Sequence, residues 1–207
     1  MIELPASTIV NRFVPKESFY KHAAFTPKLR EIFTDEIEKI TWTHKISPAT
    51  LPVESSPDYP EIDIFHIKLK TSDLNQKAIE LIDKNIPRPV LFILERPTGY
   101  KKAIIAAKSG KTINHHFASD WAKEQKIAPT GRTMKALYLS IISHLDEKVN
   151  IQGETTPEKE IENAKLRKEL EAKIAKLTTE IAKEPAINKR QSLAKKRHEL
   201  EQKLQTL

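Results

Sequence analysis

Residues 61–70 read EIDIFHIKLK, residues 71–86 read TSDLNQKAIELIDKNI, and residues 87–108 read PRPVLFILERPTGYKKAIIAAK. The first segment is rich in β-branched and aromatic residues, which suits a strand. Its alternation slips: Ile62 and Ile64 fall on one face, then Phe65, Ile67 and Leu69 on the other. Either a bulge sits near Phe65 or both faces are covered. The second segment predicts a helix over about 73–85, capped by Ser72, with a stripe of Leu74, Ala78, Leu81 and Ile82. In the third, Val90–Leu94 is an unbroken apolar run, as expected of an interior strand buried on both faces. Pro97-Thr98-Gly99 marks a turn, and Tyr100–Ala107 reads as the return strand of a hairpin. Two strands joined by a helix are expected to run parallel.

Working outward, residues 1–17 read as a lead-in punctuated by Pro5 and Pro15, and 18–25 as a short helix. Thr26-Pro27 is a helix start, with Leu29, Ile32, Phe33, Ile37 and Ile40 at helical spacing, so a helix is expected over about 27–40. WTHKI at 42–46 is a candidate short strand, and the proline-rich stretch 47–60 a loop. TINHHFAS at 112–119 predicts another strand. Met134, Leu137, Tyr138, Ile141, Ile142 and Leu145 define an amphipathic helix over about 132–147. The fold class is therefore α+β: a small mixed sheet in β-α-β-β-β order flanked by helices, occupying residues 1–150.

A linker at 151–157 then leads to residues 158–207, which lack aromatic side chains and are dominated by Glu, Lys, Ala and Leu. Leu166, Leu170, Ile174, Leu177 and Ile181 make one seam. After Pro185, Leu193, Leu200, Leu204 and Leu207 make a thinner one. This pattern predicts an antiparallel helical hairpin or a coiled-coil arm whose seam needs a partner helix, within the chain or in a second copy.

Bulk properties exclude several classes. The 207 residues include no cysteine, so disulfides, thiolate metal sites and thiol nucleophiles are ruled out and a reducing, cytoplasmic setting is the simplest expectation. No apolar run approaches membrane-span length, and the N-terminal residues lack a signal-peptide pattern. The net charge is +7. It is uneven: residues 185–207 carry six basic and two acidic groups, while 154–184 are net −1. Lys189, Arg190, Lys195, Lys196 and Arg197 form a basic cluster suited to phosphate neutralisation, although solvated charged faces are common on such helices. A second basic group, Arg88, Arg96, Lys101, Lys102 and Lys108, flanks the hairpin. Beside Trp42, Lys45 or Trp121 it would make a nucleic-acid surface.

Catalytic signatures are missing. The four glycines make neither a P-loop nor a dinucleotide fingerprint, and no cofactor is expected. His115 and His116 are adjacent, so on a strand they point to opposite faces and do not share a metal. A PD-(D/E)xK nuclease needs an Asp followed by an acid-x-Lys on the next strand to hold Mg²⁺. Asp63 lies on a suitable strand, but Glu95 is followed by Arg96-Pro97, and Glu124-Gln125-Lys126 lies beyond the sheet.

The strand ending FHIKLK, the helix closing IDKNIPRPVLFILE, and the stretches LPASTIVNRFVPKESFY, ITWTHKISPATL and AKEPAINKRQSLAKKRHELEQKL together resemble the prokaryotic family called domain-of-unknown-function 4391. Many relatives carry aromatic pairs where this chain has His115-His116. The resemblance covers most of the chain and implies no catalytic residues. It implies a setting: such proteins are typically encoded beside helicase-like ATPases and DNA methyltransferases, in loci resembling restriction or phage-defence islands. The expected function is a non-enzymatic accessory subunit that docks a helicase or methyltransferase and contacts DNA through its basic surfaces. The alternatives are a stand-alone nucleic-acid-binding protein, a divergent Mg²⁺-dependent nuclease, and a coiled-coil scaffold that forms homo-oligomers.

Overall fold

The computed structural model describes residues 2–20, 26–109, 112–124, 126–146 and 157–206. The chain divides into two compact units, Met1–Ile151 and Gln152–Leu207.

The first unit is built on one six-stranded sheet: β1 (Ile9–Phe13), β2 (Ile37–Ile46), β3 (Ile62–Leu69), β4 (Val90–Glu95), β5 (Lys101–Ser109) and β6 (Thr112–Ala118), in sequence order across the sheet. Within this sheet β3 and β4 pair in parallel, and the other four pairings are antiparallel. Between β1 and β2 lie α1 (Glu17–Tyr20) and α2 (Pro27–Glu36), and α3 (Gln76–Asn85) connects the parallel pair. The helix α4 (Met134–Leu145) follows the sheet.

Two sequence expectations change at the N-terminal side. The helix expected over 27–40 stops at Glu36, and the strand expected at 42–46 begins at Ile37. Ile37 and Ile40 are three apart, so helical spacing and strand burial both fit them. A bulge between Ile37 and Lys39 lets both side chains enter the same core, where each is fully buried. The supposed lead-in contains β1, an edge strand whose residues are mostly exposed and which therefore shows no apolar alternation. The expected helix at 18–25 is described only through Tyr20; residues 21–25 lie outside the described residues.

The slipped alternation of β3 has a clear cause. Its pairing with β4 is regular from Asp63 to Lys68, and Ile62, Ile64, Phe65, Ile67 and Leu69 are all buried. Both faces are covered, and the irregularity sits in β2, where the register shifts between Trp42 and His44. Phe65, Ile67, Leu69, Phe92 and Leu94 join α2 and α3 in one core on one face. The alternate residues Ile64, Leu91 and Ile105 are also fully buried. They lie on the other face, where α4 packs on β5 and β6 and Tyr138 Oη donates to the Ala106 carbonyl.

Local chemistry explains the remaining ends. α2 starts as expected, with Thr26 Oγ1 accepting from Leu29 N and Pro27 in the first turn. α3 begins later than expected because Asn75, not Ser72, accepts from Lys77 N. Its buried stripe is Ala78, Ile79, Ile82 and Asp83, so Leu81 is displaced to the margin. Gly99 adopts φ +80°, which a side chain would resist, and closes the β4–β5 hairpin by donating to the Arg96 carbonyl. The 47–60 loop is tied down: Tyr59 stacks on Tyr138 at 4.5 Å, and Ser56 Oγ accepts from Lys135 N in the first turn of α4.

The second unit is a helical hairpin of α5 (Pro157–Lys183) and α6 (Ile187–Gln205), broken at Pro185 and packed against each other. The expected linker lies outside the described residues except Pro157, which opens α5. Leu170, Ile174, Leu177 and Ile181 face inward with Leu193, Leu200 and Leu204 of α6. Leu166, expected in that seam, is 40% exposed instead. From Leu170 the seam steps back three residues to Arg167, not four to Leu166, and Ala164 is the buried residue beyond. Leu207 lies outside the described residues. Among the described residues no helix is long and apolar enough to cross a membrane.

Candidate nucleic-acid interface

The sequence-predicted cations fall at three places. On α6, Lys189, Arg190, Lys195 and Lys196 are exposed, and none meets a carboxylate among the described residues. Arg197 differs: it turns toward the seam, half-buried, and its Nε lies 3.1 Å from Glu201 Oε1 one turn on. Lys189, Lys196 and Lys203 are spaced by seven, so they line one flank of the helix at intervals of about 10 Å.

The second basic group does not form one patch. β4 is six residues long, so its two ends are roughly 20 Å apart. Arg88 precedes its first residue, while Arg96, Lys101 and Lys102 cluster at the far end. The side chain of Lys108 lies outside the described residues. At the far end Trp121 is the organising group. The Arg96 guanidinium lies 3.7 Å from its ring centroid and the Lys102 ammonium 6.0 Å away, an arrangement in which the ring quadrupole attracts both cations. Lys101 lies 3.7 Å from Glu95 Oε2, and His66 Nε2 donates to that same oxygen at 2.7 Å. Burial holds His66 below the ordinary imidazole value, against the opposing pull of the Glu95 carboxylate.

At the near end, Arg88 Nε donates to Asp63 Oδ2 and lies 2.7 Å from Glu61 Oε1, while Lys45 pairs with the other oxygen of Glu61. Asp63 is fully buried. Burial pushes its carboxyl above the usual carboxylate range, opposed by the hydrogen bond and charge of Arg88. The guanidinium thus takes the position between two carboxylates that a divalent ion would need. Among the described residues no three His, Asp or Glu side chains stand close enough to share a metal. The histidines of β6 diverge as their adjacency requires: His115 packs edge-on against Phe117 at 4.8 Å, while His116 Nε2 lies 3.4 Å from the buried Asp83 of α3.

Beside the Arg88 network a cleft of about 320 Å³ opens, bordered by Arg12, Phe13, Trp42, Phe65, Asn85 and Arg88 among others. Arg12 pairs in register with Trp42, Trp42 with Phe65, and Phe65 with Phe92. The four side chains therefore make one row across a single face of the sheet, with rings meeting edge-on at 6.4 and 6.3 Å. The row begins inside the core and ends at the exposed Arg12. Sequence reasoning passed over Arg12 and Phe13 because they stand in a segment without apolar period. The one signal available was a cation beside an aromatic, NRF at 11–13.

No curated protein and no solved structure matches the chain. The family model described as Domain of unknown function (DUF4391) matches residues 2–204, nearly the whole length, and the chain belongs to that family.

Proposed function

We propose that the protein is an accessory subunit of a DNA-processing assembly of the restriction or phage-defence kind, that it docks a helicase or DNA methyltransferase, and that it touches nucleic acid through α6. The nucleic-acid part rests on one observation: Lys189, Arg190, Lys195 and Lys196 are exposed on one helix and meet no carboxylate among the described residues. A cation already paired with a carboxylate must give up that pair to bind phosphate, whereas these four have no such pair among the described residues. The docking part rests on kinship with the family and on the setting that kinship implies, beside helicase-like ATPases and DNA methyltransferases.

The test is binding of labelled single- and double-stranded DNA by the full chain across a salt series. Each phosphate contact adds about 0.9 on duplex DNA, and about 0.7 on single strands, to the slope of log affinity against log salt. Reversing Lys189, Lys195 and Lys196 to Glu is expected to reduce that slope by about 2.7 on duplex and about 2 on single strands, and to weaken binding at least tenfold at low salt. An unchanged slope, or no binding by the parent chain at low salt, overturns the proposal.

A further inference from the structure

We propose that the cleft between β1, Trp42 and Arg88 is a pocket for one unpaired base of a single-stranded nucleic acid, with the adjoining phosphate held by Arg12. The inference rests on the proposed nucleic-acid role and deepens it, since it names the strand form recognised and the residues that recognise it.

Four observations carry it. First, size: about 320 Å³ is at the small end of ligand sites, which run from roughly 300 to 1,000 Å³, and it suits a planar heterocycle rather than a duplex or a helix. Second, the wall: Trp42 is only partly buried and its indole is anchored, with Nε1 donating to the His44 carbonyl at 2.9 Å and its ring set edge-on to Phe65. An indole held on one side and open on another is a stacking platform that need not be ordered on binding. Third, charge: Arg12 shares the row of Trp42, is exposed, and meets no carboxylate among the described residues. Arg88 adds a second guanidinium at the border, fixed by Glu61 and Asp63. Fourth, chemistry at the wall: Asn85 Nδ2 donates to the Leu81 carbonyl, so its Oδ1 is the atom suited to accept from a base N–H, which in thymine is N3–H.

The competing occupant is a peptide or a second copy adding a strand to the exposed edge of β1. Phe13 and Ile9 are each 57% exposed there, which such an edge would use. The backbone argues against it. Asn11 sits at φ +47°, and the β1–β2 register shifts between Ile9 and Arg12. A left-handed residue in the middle of a five-residue strand breaks the ladder that strand addition needs, a known protection of sheet edges.

The chain has two tryptophans, Trp42 and Trp121. In the full-length Trp121→Phe variant, Trp42 is the sole indole. Adding an oligothymidylate of about eight nucleotides is expected to quench its emission saturably, while a hairpin duplex of equal charge leaves it unchanged. Arg12→Glu, at an exposed position, is expected to weaken the single-strand affinity at least about fivefold by anisotropy in the parent chain, without lowering the melting temperature. Reversal of the α6 lysines is expected to weaken binding yet keep the quench at saturation. DNA binding with no Trp42 quench and unchanged Arg12→Glu affinity would overturn the cleft while leaving the α6 contact standing. No DNA binding by any form would remove both. A Phe13-dependent dimer in sedimentation, without oligonucleotide quenching, would assign the edge to a second copy and overturn the proposal.

Discussion

Arg88 sits against Glu61 and Asp63, and Arg96 lies over Trp121, whereas Lys189, Arg190, Lys195 and Lys196 of the arm meet no carboxylate among the described residues. Apolar surface divides the same way. Ile64, Ile67, Leu91 and Phe92 of the sheet are fully buried, while Ile174, Leu177, Ile181, Leu193, Leu200 and Leu204 of the hairpin are only half-buried. A two-helix hairpin has one seam between its helices, so most of each helix's circumference lies outside that seam. Away from the exposed edge strand β1, the sheet has helices over both faces and buries its own apolar residues. Outside the β1 edge, the first unit thus holds its structure through internal contacts, while the arm keeps charge and partial apolar surface exposed.

The sharpest way to break this comparison is to damage each unit and read them separately. Both tryptophans lie in the first unit, so indole fluorescence follows it alone, while far-ultraviolet circular dichroism follows both. Phe92→Ala removes a fully buried ring from the middle of the sheet and is expected to cost about 4 kcal/mol in denaturant unfolding, seen in the fluorescence transition. A cost below about 1 kcal/mol would mean that the core is far looser than its burial implies.

A smaller effect is expected from the buried charge. Arg88→Ala leaves Asp63 buried without its partner. Breaking a buried pair costs roughly 3–5 kcal/mol. Because Arg88 itself is 35% exposed and shared with Glu61, about 2 kcal/mol is expected at neutral pH. The sign with pH follows from the carboxyl. Its folded-state pKa already lies above the unfolded value, so its contribution is fully present below the unfolded pKa and is lost as pH rises through the folded one. Without Arg88 the carboxyl shifts further up, and the variant's deficit relative to the parent should grow from acid toward neutral pH. A pH-independent deficit would show that Arg88 acts through packing alone.

How much of this was legible in the sequence depended on whether an element carried its own period. The run Val90–Leu94 and the stripe of Met134, Leu137, Ile141 and Leu145 are read directly, because each buries a face with regular spacing. β1 was invisible: an edge strand with four of five residues exposed has no period to show. The end of α2 was misplaced because a β-bulge mimics helical spacing between Ile37 and Ile40. For the site, the exposed lysines of α6 were legible as composition. The split of the hairpin cations between two ends of β4, and the row from Arg12 to Phe92, depend on strand register, which long-range pairing sets.

The hairpin seam allows the finest test, since two leucines one turn apart are placed differently. Leu170 is buried and Leu166 is 40% exposed, although sequence spacing alone joins them. Leu170→Ala should cost about 2 kcal/mol, at the low end for a buried leucine because the seam around it is open enough to relax. Leu166→Ala should change stability by less than about 0.5 kcal/mol, as exposed substitutions on good helix formers do. Both should appear in the circular-dichroism transition and leave the fluorescence transition in place. If Leu166→Ala proves as costly as Leu170→Ala, then Leu166 is covered in solution by something other than α6. The arm would then already hold a partner, a second copy being the simplest, and concentration-dependent sedimentation of the two variants would separate that case from a misassigned seam.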